Sequence, residues 1–95
     1  MKRLLLTPAA RDDLAAIWNY SESRWDADQP DRYVETIVHS CDRLVQGRLP
    51  GCAVDVRPGY RKQRAGSHMI HYRDEADRIE VIRILHMRQD VSLHL

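Results

Sequence analysis

The chain has 95 residues, 43% of them hydrophobic and 31% charged, and a formal net charge of +1. A chain of this length buries roughly 65% of its unfolded surface around one modest core, so a single globular domain over residues 1–95 is expected and a second domain is excluded. Near-neutral charge argues against general coating of nucleic acid, and two cysteines outside any CxxC spacing argue against a disulfide scaffold.

The opening MKRLLLTPAA has the cations of a secretion signal, but its apolar run stops at Thr7-Pro8, short of the 7 or more residues such a segment needs. No run approaches the roughly 20 residues of a membrane span, and a cytoplasmic protein is expected. Leu4, Leu5 and Leu6 predict a short strand. Thr7 then supplies an N-cap and Pro8 a first helical residue, because proline has no N–H to lose there. The first helix carries a stripe of Ala10, Leu14, Ile17, Ser21 and Trp25 flanked by Trp18 and Tyr20, with Asp12 and Asp13 in the early turns favoured by the dipole. Both tryptophans read as packing residues rather than ligand platforms.

After a polar break, Pro30 opens a second helix with Tyr33, Val34, Ile37, Val38, Cys41, Leu44 and Val45 on one face, and Gly47 stops it. So short a break makes the two helices a hairpin. Cys41 on the apolar face and Cys52 in a Gly/Pro loop read as two buried or idle thiols, with a disulfide between them as the alternative. From Leu49 the pattern turns to strands: Tyr60 to Ala65, a turn at Gly66-Ser67, His68 to Arg73, an acidic turn Asp74 to Asp77, and Arg78 to His86. The fold class is α+β, β-α-α-β-β-β, with the helical hairpin packed on one face of a mainly antiparallel sheet.

Charge is segregated along this order. Residues 1–46 hold six bases against eight acids, residues 47–73 six against one, and residues 74–95 three against five. Between Arg57 and Arg73 stand Arg57, Arg61, Lys62, Arg64 and Arg73 with no acid among them, a pattern suited to an acidic partner. The last strand adds an apolar argument. Strict alternation puts Ile82 and Ile84 on one side and Ile79, Val81 and Leu85 on the other, so both sides are apolar. Two helices cover one. The tail Val91 to Leu95 is the only further element, so a partner's apolar segment is expected on the second face, with a homodimer or the chain's own loops and tail as alternatives.

Catalytic and metal constellations are weaker. His68 and His71 lie three apart in a strand and face opposite sides, so they share no metal ion, and His39 has no ligand neighbour on its face; no metal or cofactor is expected. Ser67, His86 and Asp90 have no triad spacing, and serine suits a Gly-Ser turn in any case. Acid–base chemistry on RNA by His68, Tyr72, Arg83, His86 and Arg88 is conceivable, but parity sets Arg83 and His86 on opposite faces. With no phenylalanine, and Tyr60 and Tyr72 standing alone, a stacking platform for single strands is not expected.

The segments LTPAARDDLAAIWNYSESRW, PDRYV, RPGYR with GSHMIHYR, and IEVIRILHMRQD together resemble the ParE toxins of bacterial toxin–antitoxin operons, within the RelE/ParE superfamily. The resemblance covers nearly the whole chain. It implies a RelE-like α+β fold, a ParD-type antitoxin whose acidic C-terminal segment lies across the toxin in a hetero-oligomer, and DNA gyrase as the target. On that reading Arg61, Arg64, Arg73, Arg83 and Arg88 are contacts for the antitoxin's acids or the target, and Ile79, Val81 and Leu85 are apolar docking positions. RelE-type relatives cut ribosome-bound mRNA with basic residues and a C-terminal Tyr or His. The alternative is an endonuclease of that kind using His68, Arg83, His86 and Arg88. The GSHMIHYR hairpin puts His68 where those enzymes tend to carry arginine, and no tyrosine follows Arg88, so the nuclease set is incomplete.

Overall fold

A computed structural model describes residues 2–24, 29–49, 51–54 and 58–89 and, within these, the side chains of all but residues 20–24 and 29–31. Ser21, Tyr20 and Trp25 of the expected helix stripe, together with Arg57, Asp90 and the tail 91–95, lie outside the described residues or side chains. The elements in chain order are β1 (Arg3–Leu6), α1 (Pro8–Arg24), α2 (Gln29–Val45), β2 (Cys52–Ala53), β3 (Tyr60–Ala65), β4 (His68–Asp74) and β5 (Arg78–His86). They form one sheet in the order β1-β5-β4-β3-β2. β1 runs parallel to β5, and the other neighbours are antiparallel. The architecture is the expected helical hairpin on a mainly antiparallel sheet, with β2 as an added edge strand. Two residues of a Gly/Pro-rich loop carry no periodicity that could announce it.

The crossing from β1 to α1 turns on Thr7. Its N–H donates to the Val81 carbonyl (3.0 Å) and continues the sheet, while its Oγ1 accepts from the Ala10 N–H (3.1 Å) as the N-cap of α1. The same hydroxyl donates to the Ile82 carbonyl (2.7 Å), tying the helix start to the central strand. At the other end of the hairpin, α2 closes with the Arg48 N–H on the Arg43 carbonyl (2.9 Å) and the Gly47 N–H on that of Leu44 (3.1 Å). That pair is a Schellman cap, and it needs the left-handed φ of 73° that Gly47 adopts without a Cβ penalty.

The core lies between the helices and one sheet face. Ala10 and Ile17 from α1 and Ile37, Cys41 and Leu44 from α2 meet Ala65, Ile70, Tyr72, Ile79, Val81 and Ile84 from the sheet, with Leu4, Leu6, Leu14, Tyr33, Val34 and Val45 packed around them. Val38 is 36% exposed, so the apolar face of α2 is narrower than its sequence suggests. Among the described residues both cysteines are free thiols. Cys41 is buried and Cys52 exposed, and burial pushes the Cys41 thiol up to about 12.

The expected assignment of β5 side chains needs correcting. His71 pairs with Arg83 but Tyr72 pairs with Val81, leaving Ile82 as a bulge without a partner on β4. One extra residue reverses the alternation beyond it. Ile79, Val81 and Ile84 therefore all join the helix-facing core, and Leu85 falls on the opposite side. Ile79 and Val81 are 2% and 0% exposed there, which removes them from any surface on which a partner docks. Leu85, although on the second face, is 1% exposed and His71 beside it 0%, so that face is not the bare apolar area expected.

Candidate functional site

Residues directly paired across antiparallel strands project from the same side, so the register sorts the cations. Lys62, His71 and Arg83 form one cross-strand row, and Arg64, Met69 and Leu85 a second. Tyr60, Arg73 and Glu80 form a third. All three rows lie on the face away from the helices. Arg61 pairs with Tyr72 and so sits on the helix side, half-buried. Arg88 is exposed in the turn after β5, with its N–H donating to His86 Nδ1 (3.1 Å). The fold thus brings Lys62, Arg64, Arg73 and Arg83 onto one outer face, puts Arg61 on the helix side and leaves Arg88 exposed in the turn after β5.

These cations differ in how they are engaged. Arg73 pairs with Glu75 (2.9 Å) in an exposed contact worth little to stability. Arg83 is held by Asp13 of α1 in a two-pronged contact, Nε at 2.8 Å and Nη2 at 2.9 Å, and Asp13 also accepts the Ile84 N–H (2.9 Å). This is possible because β1 pairs with β5 only as far as Val81, which leaves the next stretch of β5 without a strand on that edge. Asp13 fills the gap. It acts as an ion-pair partner and edge cap rather than as the dipole ornament its sequence position implied, and it raises the Arg83 pKa still further by hydrogen bonding to the charged form. Lys62 and Arg64 have no carboxylate within ion-pair distance among the described residues. The Arg64 Nε donates to the Gly66 carbonyl (3.0 Å).

The histidines of the nuclease alternative pair with each other on the helix side of the strands, although His86 also lines a cleft with Lys62 and His71. His68 and His86 are cross-strand partners whose rings meet edge-on at 5.2 Å. His68 Nδ1 is 2.6 Å from the Tyr33 hydroxyl of α2, and that oxygen accepts the Ser67 N–H (3.1 Å). The hydroxyl oxygen can accept from Ser67 while it either donates to or accepts from Nδ1, so the contact is a hydrogen bond in either neutral tautomer of His68. Gly66 makes room for this contact. A Cβ there would sit 3.0 Å from Tyr33 Cε1, at a φ of 61° that side chains rarely adopt. Burial, then the neighbouring His86, lowers the His68 pKa, with Asp13 opposing. The result is a latch between α2 and the β3–β4 turn, with Arg83 on the other sheet face and committed to Asp13. Sequence spacing offers no signal for the Tyr33–His68 or Asp13–Arg83 contacts, whose members lie 35 and 70 residues apart.

A pH dependence follows from these environments. His68 and His71 both titrate below their ordinary value of 6.5. Stability is therefore complete above that value and is lost as pH falls toward the folded pKa, because the unfolded chain takes up protons the fold refuses. Each histidine held neutral costs up to about 1.4 kcal/mol per pH unit within that window. Thermal unfolding at pH 7.5 and 5.5 is expected to differ by several degrees, with the lower value at pH 5.5, and His68→Gln should shrink the gap. Identical melting temperatures would mean that neither ring is held neutral.

Among the described residues no helix is long and apolar enough to cross a membrane, and no group of three or more His, Cys, Asp or Glu is placed to hold a metal ion.

The helical hairpin packed on a five-stranded mixed sheet is a fold that also occurs in a solved structure described as the chromosomal ParDE TA system from P. aeruginosa, with a TM-score of 0.78 at 23% identity, covering 90% of this chain and 96% of that one. The profile of the family described as ParE toxin of type II toxin-antitoxin system, parDE, matches residues 4–91. The chain is 43% identical over 95 residues to Toxin ParE1 of Mycobacterium tuberculosis (98% of this chain, 97% of the relative) and 35% identical over 98 residues to Toxin ParE1 of Caulobacter vibrioides (100% and 99%). This chain belongs to the ParE toxin family of type II toxin–antitoxin systems.

Proposed function

We propose that this toxin acts by binding in the cytoplasm rather than by cutting RNA. Its target is DNA gyrase, and it is neutralised in a hetero-oligomer by a ParD-type antitoxin whose acidic segment crosses the outer sheet face. The observation that carries this reading is the collection of Lys62, Arg64, Arg73 and Arg83 on one face, with Lys62 and Arg64 lacking a carboxylate partner among the described residues. Opposite charge steers association and fixes register more than it adds raw affinity. Arg64 and Arg73 are the principal contacts for acids, with Arg88 in the turn beyond β5, Arg61 reached only from the helix side, and Arg83 contributing field while it remains on Asp13. Of the apolar docking positions only Leu85 lies on this face, and it is covered in the free chain. Two commitments weigh against the endonuclease reading: the Arg83 guanidinium is taken by Asp13 and the His68 Nδ1 by Tyr33.

The test is direct. Inducing the gene without an antitoxin should arrest growth and halt supercoiling of a reporter plasmid, and the purified chain should inhibit gyrase in a supercoiling reaction. Co-expression of the antitoxin should restore both. Unchanged supercoiling with mRNA cleaved within minutes of induction would replace this reading with the endonuclease.

A further inference from the structure

Within the outer face, His71 stands apart. It is 0% exposed, and among the described residues neither Nδ1 nor Nε2 has a hydrogen-bond partner. Folded proteins rarely leave a buried donor and acceptor both unmatched, and such an exception asks for a cause. Its cross-strand neighbours are Lys62 on one side and Arg83 on the other. Burial first, and then these two cations, lowers its pKa, so the ring is neutral and offers one N–H donor and one lone pair. The ring lines a cleft of about 250 Å³ together with Lys62, Met69, His86, Met87 and Gln89.

Size and lining restrict the occupant. The volume lies below the roughly 300–1,000 Å³ of small-molecule sites, and among the described residues no phenylalanine, tyrosine or tryptophan lines the cleft to stack a base. A donor beside an ammonium, in a field of two cations, suits an anionic oxygen. Methionines suit the methylenes behind it, since an unbranched thioether adapts to what it meets. Because the ring is fully covered in the free chain, an incoming group must displace part of what covers it, and Met87, which lines the cleft, is 47% exposed.

We propose that this cleft is an anchor site for one carboxylate side chain of an acidic peptide segment, received by the His71 N–H and the Lys62 ammonium, with Met69 and Met87 against its methylenes. The inference rests on the reading that an acidic antitoxin crosses this face, and it names the point at which one residue of that segment is held. The unmatched imidazole is a site left incomplete until the partner arrives, and it makes binding selective for an acid over its amide.

The experiment follows the ring nitrogens of ¹⁵N-labelled toxin by NMR during titration with the cognate antitoxin, with acetyl-Ala-Glu-Ala-amide, with its Gln counterpart, with a thymidine hexanucleotide and with inorganic phosphate. The expected result is a large shift of the His71 nitrogens in the antitoxin complex, a saturable millimolar response to the Glu peptide, and a response at least tenfold weaker to the Gln peptide. An equal or stronger response to the hexanucleotide or to phosphate overturns the assignment to a peptide carboxylate. Antitoxin binding that leaves the His71 nitrogens unmoved overturns the anchor while leaving the proposed function standing. Failure of the antitoxin to bind overturns that function instead, and the Glu and Gln peptides then decide the anchor alone. His71→Leu supplies a second measurement. It should raise the melting temperature by a few degrees, by removing two unmatched buried nitrogens, while weakening the antitoxin about tenfold. A folded His71→Leu chain with unchanged affinity overturns the proposal, and should that variant not fold, the titration of the unmodified toxin decides.

Discussion

Replacing Asp13 by alanine is expected to destabilise the domain by roughly 3 kcal/mol, because it leaves a half-buried guanidinium unpaired and the Ile84 N–H without an acceptor. The side chains of Asp13 and Arg83 are only 14% and 24% exposed, so solvent does not replace what is lost. For a domain of this size that corresponds to a fall in melting temperature of about 12–24 °C, measured by circular dichroism. Asp13→Asn should fall between wild type and alanine, since the amide oxygen still accepts one N–H but carries no charge. The double variant Asp13→Ala/Arg83→Met should recover a large part of the loss, because most of the single-variant cost lies in stranding the partner rather than in the bond itself. A single-variant shift below 4 °C would show that α1 does not depend on this contact for its hold on β5.

The second large effect concerns association. Reversing two outer-face cations, Arg64→Glu with Arg73→Glu, should slow association with an acidic antitoxin by roughly 10- to 100-fold at low salt, since steering depends on the summed field of the face. Both residues are exposed, so the fold should tolerate the change. The matched control is Arg11→Glu with Arg43→Glu, which alters net charge equally but on the exposed surface of the helix layer. Stopped-flow association at rising salt separates the two. The outer-face variant should lose most of the wild-type salt dependence and the control should keep it. If both pairs slow association alike, net charge and not this face governs the encounter.

Much of the fold was legible because local chemistry announced it. Thr7-Pro8 marks the start of α1, Gly47 stops α2, and Gly66-Ser67 turns β3 into β4, each at the position observed. These are short-range rules of capping and turn geometry, and they act wherever the residues stand. The outer-face cations were legible as a charge run without an acid, although their sorting was not: Arg61 takes the helix side and Lys62, Arg64 and Arg73 the other.

Where the reading failed, the cause was a single unpaired residue. Period-two alternation holds only in an unbroken strand, and Ile82 breaks it by having no partner on β4. That one insertion moved Ile84 into the helix-facing core beside Ile79 and Val81, and left Leu85 and the covered His71 as the buried features of the second face.

By itself the sequence determined the succession of elements, the two-layer class and the existence of a local positive field, because caps, turns and charge runs are properties of neighbouring residues. Only the tertiary structure decided which cations are spent inside the protein and which face outward, that Asp13 fills the open edge of β5, and that His71 is buried without a hydrogen-bond partner among the described residues. Those outcomes depend on contacts between residues up to 71 positions apart, and no local spacing rule encodes a meeting made by the register of a sheet and the docking of a helix.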